Sequence, residues 1–252
     1  LGVLGSMLFT STSLAQDNSA NTVESSADFF SKEKWGLSYF NYMNGPTFSE
    51  SKGGSINHYL TLKHKFSPDW ALSFVLRPDS NISNGDTFFV MDDPYLKLEY
   101  PAFFKGANGE KIRGDLRYYA PIGKTSSESK VAGIIQTRIT ATASAGRFDF
   151  EYILIPKFYL NTVIPDGQSI FSQGHWAAAA YKLSPFWSVN LGFYPVWSYK
   201  RNKAPEFNDL PAYPGFTFNF SKDFFIAPYV EIPLMNLQAN AMSVGGNLSY
   251  TF

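Results

Sequence analysis

Cysteine is absent from this chain of 252 residues, and histidine occurs only three times. The lack of cysteine excludes disulfide bridges, thiolate metal sites and cysteine nucleophiles. Since the carboxylates are not clustered at ligand spacing either, we expect no metal site and no cofactor. The 21 basic and 21 acidic residues balance. A nucleic-acid partner is therefore not expected, because such proteins carry a basic excess.

Long apolar runs are also missing. Beyond the first residues, no segment approaches the roughly 18 consecutive apolar residues of a membrane-spanning helix. Aromatic residues nevertheless make up 17% of the chain, while the mean hydropathy is only −0.16. A closed β-barrel in a membrane reconciles the two values, because its strands need only alternate between apolar and polar residues.

The first residues have the features of an export signal. An apolar run over residues 1–9 is followed by Ser13-Leu14-Ala15, which fits a small-x-small cleavage site. We therefore expect residues 1–15 to be the remainder of a signal peptide. Residues 16–33, rich in Ser, Asn and Asp, are expected to form a disordered periplasmic segment, and residues 34–252 the barrel. The alternative is a short buried helix at the start of a cytosolic domain.

The chain after residue 33 divides into alternating runs joined by two kinds of link. Five short links alternate strictly with six longer polar ones, and three of the short ones, KFSPDW, KLSPFW and NFSKDF, share one form. They delimit twelve strands near residues 34–43, 55–66, 70–77, 88–104, 110–121, 132–144, 147–160, 174–184, 186–199, 212–221, 223–234 and 242–252. The predicted fold is all-β: a transmembrane antiparallel up-and-down β-barrel, with short periplasmic turns and longer extracellular loops.

Alternation alone would also fit a secreted β-sandwich. The aromatic residues favour the barrel, since they recur beside the short links, where a membrane barrel carries an aromatic girdle. These residues are Phe66, Trp70, Phe103, Phe104, Phe148, Trp187, Phe220, Phe224 and Phe252. Three prolines conflict with uninterrupted strands. We expect Pro156 and Pro195 to mark the outer rim, where pairing ends, and Pro228 to form a bulge.

The last strand carries Leu248, Tyr250 and Phe252 in one phase, ending on an aromatic residue. With the export signal and the alternating links, the chain resembles the bacterial outer-membrane β-barrels. The resemblance implies that Leu248, Tyr250 and Phe252 are the signal read by the barrel-assembly machinery. It also implies residence in the bacterial outer membrane, in contact with its lipid and lipopolysaccharide.

Within that family, the strand number is similar to that of the small twelve-stranded channels for nucleosides and acidic oligosaccharides. The segments DPYLKLEY (Asp93–Tyr100) and GDLRYY (Gly114–Tyr119) are similar to outer-membrane transporters associated with aromatic-compound degradation.

The phase opposite to the aromatic one is strongly charged. Its basic members are Lys63, Lys65, Arg77, Lys97, Arg113, Arg117, Arg138, Arg147, Lys157 and Lys182, and its acids are Asp93, Glu99, Asp115, Asp149, Glu151 and Glu231. Ten minus six leaves the lumen at +4 in a neutral chain. Such a bias concentrates anions in a low-dielectric tube. We predict a passive channel for small polar or anionic solutes, whose path includes Lys63, Arg77, Lys97, Arg113, Arg117, Arg138, Arg147, Lys157, Tyr119 and Tyr159.

Two alternatives stay open. The charges alternate in sign along single strands, as in Lys97/Glu99 and Arg113/Asp115, so they could pair and plug a structural or adhesive barrel. A lipid hydrolase would need a serine or aspartate within reach of a histidine. His58 and His64 fall in the outward phase, and His175 lies near Ser172; we expect no enzyme. The sequence leaves the oligomeric state undetermined.

Overall fold

A computed structural model describes residues 32–47, 54–81, 89–164, 166–235, 237–238 and 241–252 of the chain. The predicted signal peptide, residues 1–15, lies outside this part. The predicted disordered segment, residues 16–33, also lies outside it except for its last two residues. Those two belong to a short 3-10 helix, Lys32–Lys34.

Apart from two short helices, the regular structure is strand. The strands are β1 (Trp35–Thr47), β2 (Ser55–Lys65), β3 (Ala71–Leu76), β4 (Pro78–Asn81), β5 (Val90–Met91), β6 (Tyr95–Glu99), β7 (Phe104–Lys105), β8 (Lys111–Tyr119), β9 (Val131–Ala145), β10 (Phe148–Asn161), β11 (Ser169–Lys182), β12 (Trp187–Phe193), β13 (Val196–Lys200), β14 (Glu206–Asp209), β15 (Pro211–Asn219), β16 (Phe224–Pro233) and β17 (Ser243–Thr251). The α-helix, α1, is Lys124–Glu128. Among the described residues, no helix has the length and apolar character needed to cross a membrane.

These segments form a closed barrel of 12 wall strands, since β3–β4, β5–β7, β12–β13 and β14–β15 are each successive parts of one wall strand. Each wall strand pairs antiparallel with its sequence neighbours, from β1–β2 through β16–β17. The first and last strands then pair with each other, from Ser38↔Thr251 to Thr47↔Ser243. The predicted up-and-down barrel is confirmed, and the pairing of β1 with β17 closes it.

The links divide between the two ends of the barrel as predicted. We call the end that carries the links 66–70, 106–110, 146–147, 183–186 and 220–223 the short-link rim, and the opposite end the long-link rim. Gly146, with a φ of 60°, lets β9 and β10 join through only two residues. The strict alternation of link lengths follows from this up-and-down order.

The wall is apolar outside and polar inside. In β2, Leu60 is 42% exposed on the outer face, whereas its neighbour Tyr59 is 6% exposed on the inner face. In β10 the outward Phe150 is exposed and the inward Glu151 is buried. A barrel that folds in water would bury the apolar face instead. The outer surface therefore suits a hydrocarbon environment.

The aromatic residues predicted beside the short links do lie there. Phe66, Phe103, Phe104, Phe148, Trp187, Phe220 and Phe252 are all exposed. Several touch one another: the ring centroids of Phe220 and Phe224 are 5.1 Å apart, and those of Tyr250 and Phe252 are 4.6 Å apart. These rings form an apolar girdle at the short-link rim, the position at which aromatic side chains meet lipid headgroups.

Two of the expectations about proline are wrong. Pro156 does not end pairing at an outer rim, because β10 continues to Asn161 and pairs with β9 again at Lys157↔Gln136. Pro195 separates β12 from β13, yet the wall strand continues to Lys200. Both prolines therefore sit inside the wall.

The expected bulge at Pro228 is also wrong, since Pro228 pairs with Gly246 and β16 shows no register shift along β17. The reason lies in the antiparallel ladder, where each residue directs its N–H toward one neighbour only. A proline then costs one hydrogen bond on one side. The gaps in pairing are on that side: toward β9 for Pro156, and toward β15 for Pro228, between Tyr229 and Ile226.

The pairing of β1 with β17, which closes the barrel and which we call the seam, depends on a glycine. A Cβ atom on Gly245 would overlap the inward-facing ring of Tyr229 and lie 2.6 Å from the carbonyl oxygen of Met43. Tyr229 itself donates a hydrogen bond from its hydroxyl to that carbonyl, at 3.1 Å. The next glycine, Gly246, meets nothing nearer than 3.7 Å. Gly245 thus leaves the space in which Tyr229 bridges β16 to β1.

We expect Gly245→Ala to destabilise the barrel by about 1–3 kcal/mol, because the added methyl group must displace Tyr229 or the seam backbone. Gly246→Ala is the matched control and should change stability by less than about 0.5 kcal/mol. Denaturant unfolding of both variants in lipid vesicles measures the difference. Equal stability of the two variants would contradict the role given to Gly245.

Candidate functional site in the barrel interior

The inner wall carries a run of cations in one register row. Cross-strand partners connect its members in the order Lys63, Ser73, Lys97, Arg117, Gln136 and Lys157, on β2, β3, β6, β8, β9 and β10. We call these six residues the basic row. Adjacent strands are about 4.8 Å apart, so the row spaces its members evenly around the wall.

The basic row climbs along the barrel axis. Lys63 lies close to the short-link rim, near the end of β2 at Lys65, whereas Lys157 lies near the long-link end of β10. The climb follows from strand tilt: a row perpendicular to tilted strands advances along the axis as it goes round. The row therefore leads from one end of the interior toward the other.

Acids lie next to the basic row, two residues nearer the short-link rim along the same strands. Glu99 and Asp115 are direct cross-strand partners on β6 and β8. Glu99 forms ion pairs with Lys63 and with Lys97, the latter at 2.5 Å. Asp115 binds Arg117 through two hydrogen bonds of 2.6 and 3.1 Å. The lower part of the basic row is thus largely neutralised.

Tyrosines lie on the other side of the basic row, two residues nearer the long-link rim along the same strands. Tyr95 and Tyr119 are cross-strand partners, and Tyr159 continues the same row after Ile134. Arg117 lies 5.2 Å from the ring centroid of Tyr95, and the Lys157 ammonium 5.9 Å from that of Tyr159. The rings give these buried cations a favourable quadrupole contact.

Arg77 anchors the long-link side of this layer. Its guanidinium lies 5.4 Å from the Tyr59 ring centroid and 5.7 Å from that of Tyr119, with its charge paired to Asp92 at 2.5 Å. The following Asp93 is buried and accepts hydrogen bonds from the Gly123 amide, at 2.7 Å, and from the Ser126 hydroxyl. The α1 link is thereby held against the barrel mouth.

The remaining predicted path residues occupy different places. Arg113 faces the interior and is exposed, while Arg138 faces the interior and is 4% exposed. Arg147 was expected in the lumen, but it lies exposed in the two-residue link after Gly146. That link turns too tightly for Arg147 to join either inner row. The partner of Asp149 is instead Lys182, at 2.7 Å.

The centre of the interior is filled by side chains. One buried cluster comprises Phe40, Tyr42, Tyr59, Val75, Tyr95 and Tyr119, and the other comprises Ile153, Ile155, Trp176, Ala178, Tyr194 and Tyr213. Tyr229 packs against both clusters, stacking on Tyr42 at 5.8 Å. The widest part of any path must therefore lie toward the rims, and the centre is a constriction.

Two histidines bear on the hydrolase alternative, and both face outward. His58 Nδ1 lies 2.6 Å from the Tyr39 hydroxyl, and its Nε2 lies 3.0 Å from the Ser80 hydroxyl. A serine is therefore within reach of a histidine. Among the described residues, no group of three or more His, Cys, Asp or Glu side chains is placed to hold a metal ion.

The second histidine repeats the arrangement without a nucleophile. His175 Nδ1 lies 2.5 Å from the Tyr152 hydroxyl, and its Nε2 lies 2.9 Å from the Gln173 amide nitrogen. Ser172, expected nearby, faces the interior opposite Lys157. The repetition indicates that both tyrosine–histidine pairs serve to satisfy polar groups on an apolar surface.

Sequence reasoning missed three members of this site: Ser73, Gln136 and Asp92. Ser73 and Gln136 lie in the same inward phase as the predicted cations, so alternation could have found them. They were passed over because they carry no charge. Asp92 lies between strands, where no phase is defined.

Comparison with known proteins bears on the fold. No family model matches the chain, and no curated protein sequence matches it. Among solved structures, the KdgM porin matches with a TM-score of 0.51 and 11% identity over 86% of this chain and 99% of that one. Two further matches have TM-scores of 0.46. OmpF of Salmonella typhi, in complex with daunomycin, is 5% identical over 86% of this chain and 96% of its own. CdiB from Acinetobacter baumannii is 12% identical over 87% and 48%.

At 11% identity, the likeness to the KdgM porin concerns the fold. The predicted resemblance to the porin-like outer-membrane barrels is confirmed at that level.

We expect Asp115→Asn to cost about 3–5 kcal/mol of stability, because it leaves the buried Arg117 guanidinium without its counter-charge. Asp149→Asn removes an equivalent carboxylate from a pair that is partly exposed, and should cost less than about 1 kcal/mol. Unfolding by denaturant in vesicles gives both values. A smaller loss for Asp115→Asn than for Asp149→Asn would refute the buried pairing.

Proposed function

We propose that this protein is a channel of the bacterial outer membrane for passive diffusion of small polar or anionic solutes. The observation that carries the proposal is the basic row, which ascends the inner wall from Lys63 to Lys157. Its four cations, Lys63, Lys97, Arg117 and Lys157, offer a migrating anion successive sites along the inner wall. Conduction requires sites that attract a solute without holding it.

The electrostatics of the interior favour anions at its upper part. Lys63 and Lys97 share Glu99, and Arg117 has Asp115, so the lower members of the row are weakly attractive. Lys157 and the exposed Arg113 add positive charge to the same inner surface. In a narrow tube with low-dielectric walls, unbalanced charge acts over a longer range than it does in water.

The size limit comes from the central constriction. Tyrosine hydroxyls and rings from both clusters, with Tyr229 between them, leave only a narrow way through. The filled centre favours small solutes over oligosaccharides. Tyr119 and Tyr159 flank the cations there and can donate hydrogen bonds to a polar solute.

The orientation and surroundings belong to the same proposal. The apolar outer face and the girdle support an orientation in which the short-link rim faces the periplasm and the long-link rim faces the lipopolysaccharide side. Leu248, Tyr250 and Phe252 are proposed as the signal for the barrel-assembly machinery. Phe252 is strongly exposed, and its amide donates to the Leu37 carbonyl oxygen at 2.9 Å, so its ring is available to a partner.

A closed structural barrel is the second candidate. The observation that favours it is the pairing of the interior cations: Arg77 with Asp92, Lys63 and Lys97 with Glu99, Arg117 with Asp115, and Lys182 with Asp149. Such pairs, together with the buried aromatic clusters, are what a plugged interior requires. The two candidates differ in whether ions cross the constriction.

Conductance in planar bilayers tests the proposal. We expect single-channel steps with anion selectivity, and a fall in the anion-to-cation permeability ratio for Arg113→Gln. Arg147→Gln is the matched control: it removes the same charge from the exposed short link and should leave the ratio unchanged. Wild-type protein that inserts but carries no current would overturn the channel and support the closed barrel.

The assembly role of the last residue has its own test. Phe252→Ala should lower the yield of barrel inserted by purified assembly machinery, because it removes the exposed ring beside Tyr250. Phe220→Ala removes an equally exposed girdle ring and serves as the control. The conductance of those Phe252→Ala molecules that do insert should equal that of wild type. Normal insertion of Phe252→Ala would count against the proposed signal.

A further inference from the structure

We propose that the upper end of the basic row is a discrete binding site for one oxyanion, a carboxylate or a phosphate group, held by Lys157, Gln136 and Arg77. The inference deepens the proposed function and rests on it in one respect, that the interior can be reached from water. It goes further because it names a site that binds one anion through defined donor groups, whereas the proposed function needs only the overall positive charge of the interior.

Lys157 is the first reason. Its side chain is 8% exposed. Within the described part of the chain, no carboxylate oxygen lies within 4.0 Å of its ammonium. Asp92 acts on its charge, but Asp92 is already paired with Arg77. A buried ammonium without a counter-charge is costly, and proteins pair such groups. An anion beside Lys157 would therefore stabilise its charged form.

Gln136 is the second reason, and it is the direct cross-strand partner of Lys157. Its side chain is 1% exposed. The amide oxygen accepts a hydrogen bond from the Tyr119 hydroxyl at 3.4 Å, but the amide nitrogen, Nε2, has no partner among the described residues. A buried N–H donor without an acceptor costs about 1–3 kcal/mol. An anion beside Lys157 would supply that acceptor.

Arg77 brings a third donor to the same place. Its Nη atoms are engaged by Asp92 and by the Asp93 carbonyl oxygen, but its buried Nε has no partner among the described residues. Tyr119 connects the two sides of the site, since it bonds Gln136 and lies under the Arg77 guanidinium. Arg77 also lies within electrostatic range of Lys157. Two buried donors without a partner among the described residues, Gln136 Nε2 and Arg77 Nε, thus lie on two sides of Tyr119.

The donor set defines the class of ligand. One ammonium, one guanidinium N–H and one amide N–H make charge-assisted hydrogen bonds to an anionic oxygen. Two or three acceptor oxygens are needed to satisfy them together, which a carboxylate or a phosphate provides and a hydroxyl does not. The surrounding rings of Tyr119 and Tyr159 exclude water and strengthen these bonds.

Fluorine NMR with trifluoroacetate as the probe tests the site in protein reconstituted in nanodiscs. We expect saturable broadening of the trifluoroacetate signal at constant ionic strength, reversed by an unlabelled competitor. Lys157→Met should weaken the apparent affinity by at least about tenfold, the effect of losing one charge-assisted bond. Gln136→Leu, which keeps the charge, should weaken it by about threefold or more.

The matched control is Lys63→Met. It removes another lysine of the basic row, but one whose ammonium is already bonded to Glu99, so affinity should stay within about twofold of wild type. Broadening that is equal in wild type and Lys157→Met, or that falls equally in Lys157→Met and Lys63→Met, would overturn the site. Acetate and inorganic phosphate are the two competitors. The stronger one identifies the oxyanion, and failure of both to compete would also overturn the site.

Failure of this site and failure of the channel give different results. Saturable binding with a silent bilayer would leave the oxyanion site standing and remove the channel. Anion-selective conductance without saturable binding would leave the channel standing and remove the site. Native migration of each variant in unheated gels shows that a lost signal does not reflect a barrel that failed to fold.

Discussion

The pairing of β1 with β17 is the interaction on which the rest of this structure depends. In hydrocarbon, every backbone N–H and C=O group needs an internal partner, and a sheet meets that demand only when it has no edge. The ladder from Ser38↔Thr251 to Thr47↔Ser243 removes the last edge. Pro156 and Pro228 show how the ladder accommodates a missing donor: at each, the gap in pairing lies on one side of the strand only.

Closure then sorts the side chains. Once the sheet is a tube, the two phases of each strand become an outside and an inside, and the register between strands aligns inward residues into rows. Acids, cations and tyrosines therefore follow three neighbouring rows, with Arg117 bonded to Asp115 below it and stacked near Tyr95 above it. Strand tilt turns these rows into ascending tracks. The interior chemistry is thus a consequence of register.

Much of the fold could be predicted, because the two-residue alternation of the strands and the lengths of the links are visible in the sequence. Outward residues such as Leu60 and Phe150 alternate with inward Tyr59 and Glu151, and the short links carry serine, proline and aromatic residues. The partners inside could not be predicted. Asp115 pairs with Arg117 rather than with Arg113, and Asp149 pairs with Lys182 rather than with Arg147. Arg113 and Arg117 are equally distant from Asp115 along β8, so the sequence does not distinguish them, and the Asp149 pair depends on the tight turn that holds Arg147.

The uncharged members of the site escaped for a different reason. Gln136 and Ser73 carry no charge, yet the basic row places both of them between cations. A residue's role inside a barrel comes from its neighbours across strands, which are distant in sequence. The expectations about the prolines were wrong because a sequence shows where a backbone N–H is missing, but not which neighbouring strand that N–H would have faced.

Site-directed spin labelling along β10 tests the central claim, the inside-out wall, most directly. The chain has no cysteine, so single cysteines introduced at consecutive positions from 148 to 160 can be labelled cleanly. In vesicles, accessibility to oxygen should alternate with a period of two, high at even positions such as Phe150 and Phe158 and low at odd ones such as Ile153. An accessibility profile without that period, or with its phase reversed, would contradict the account.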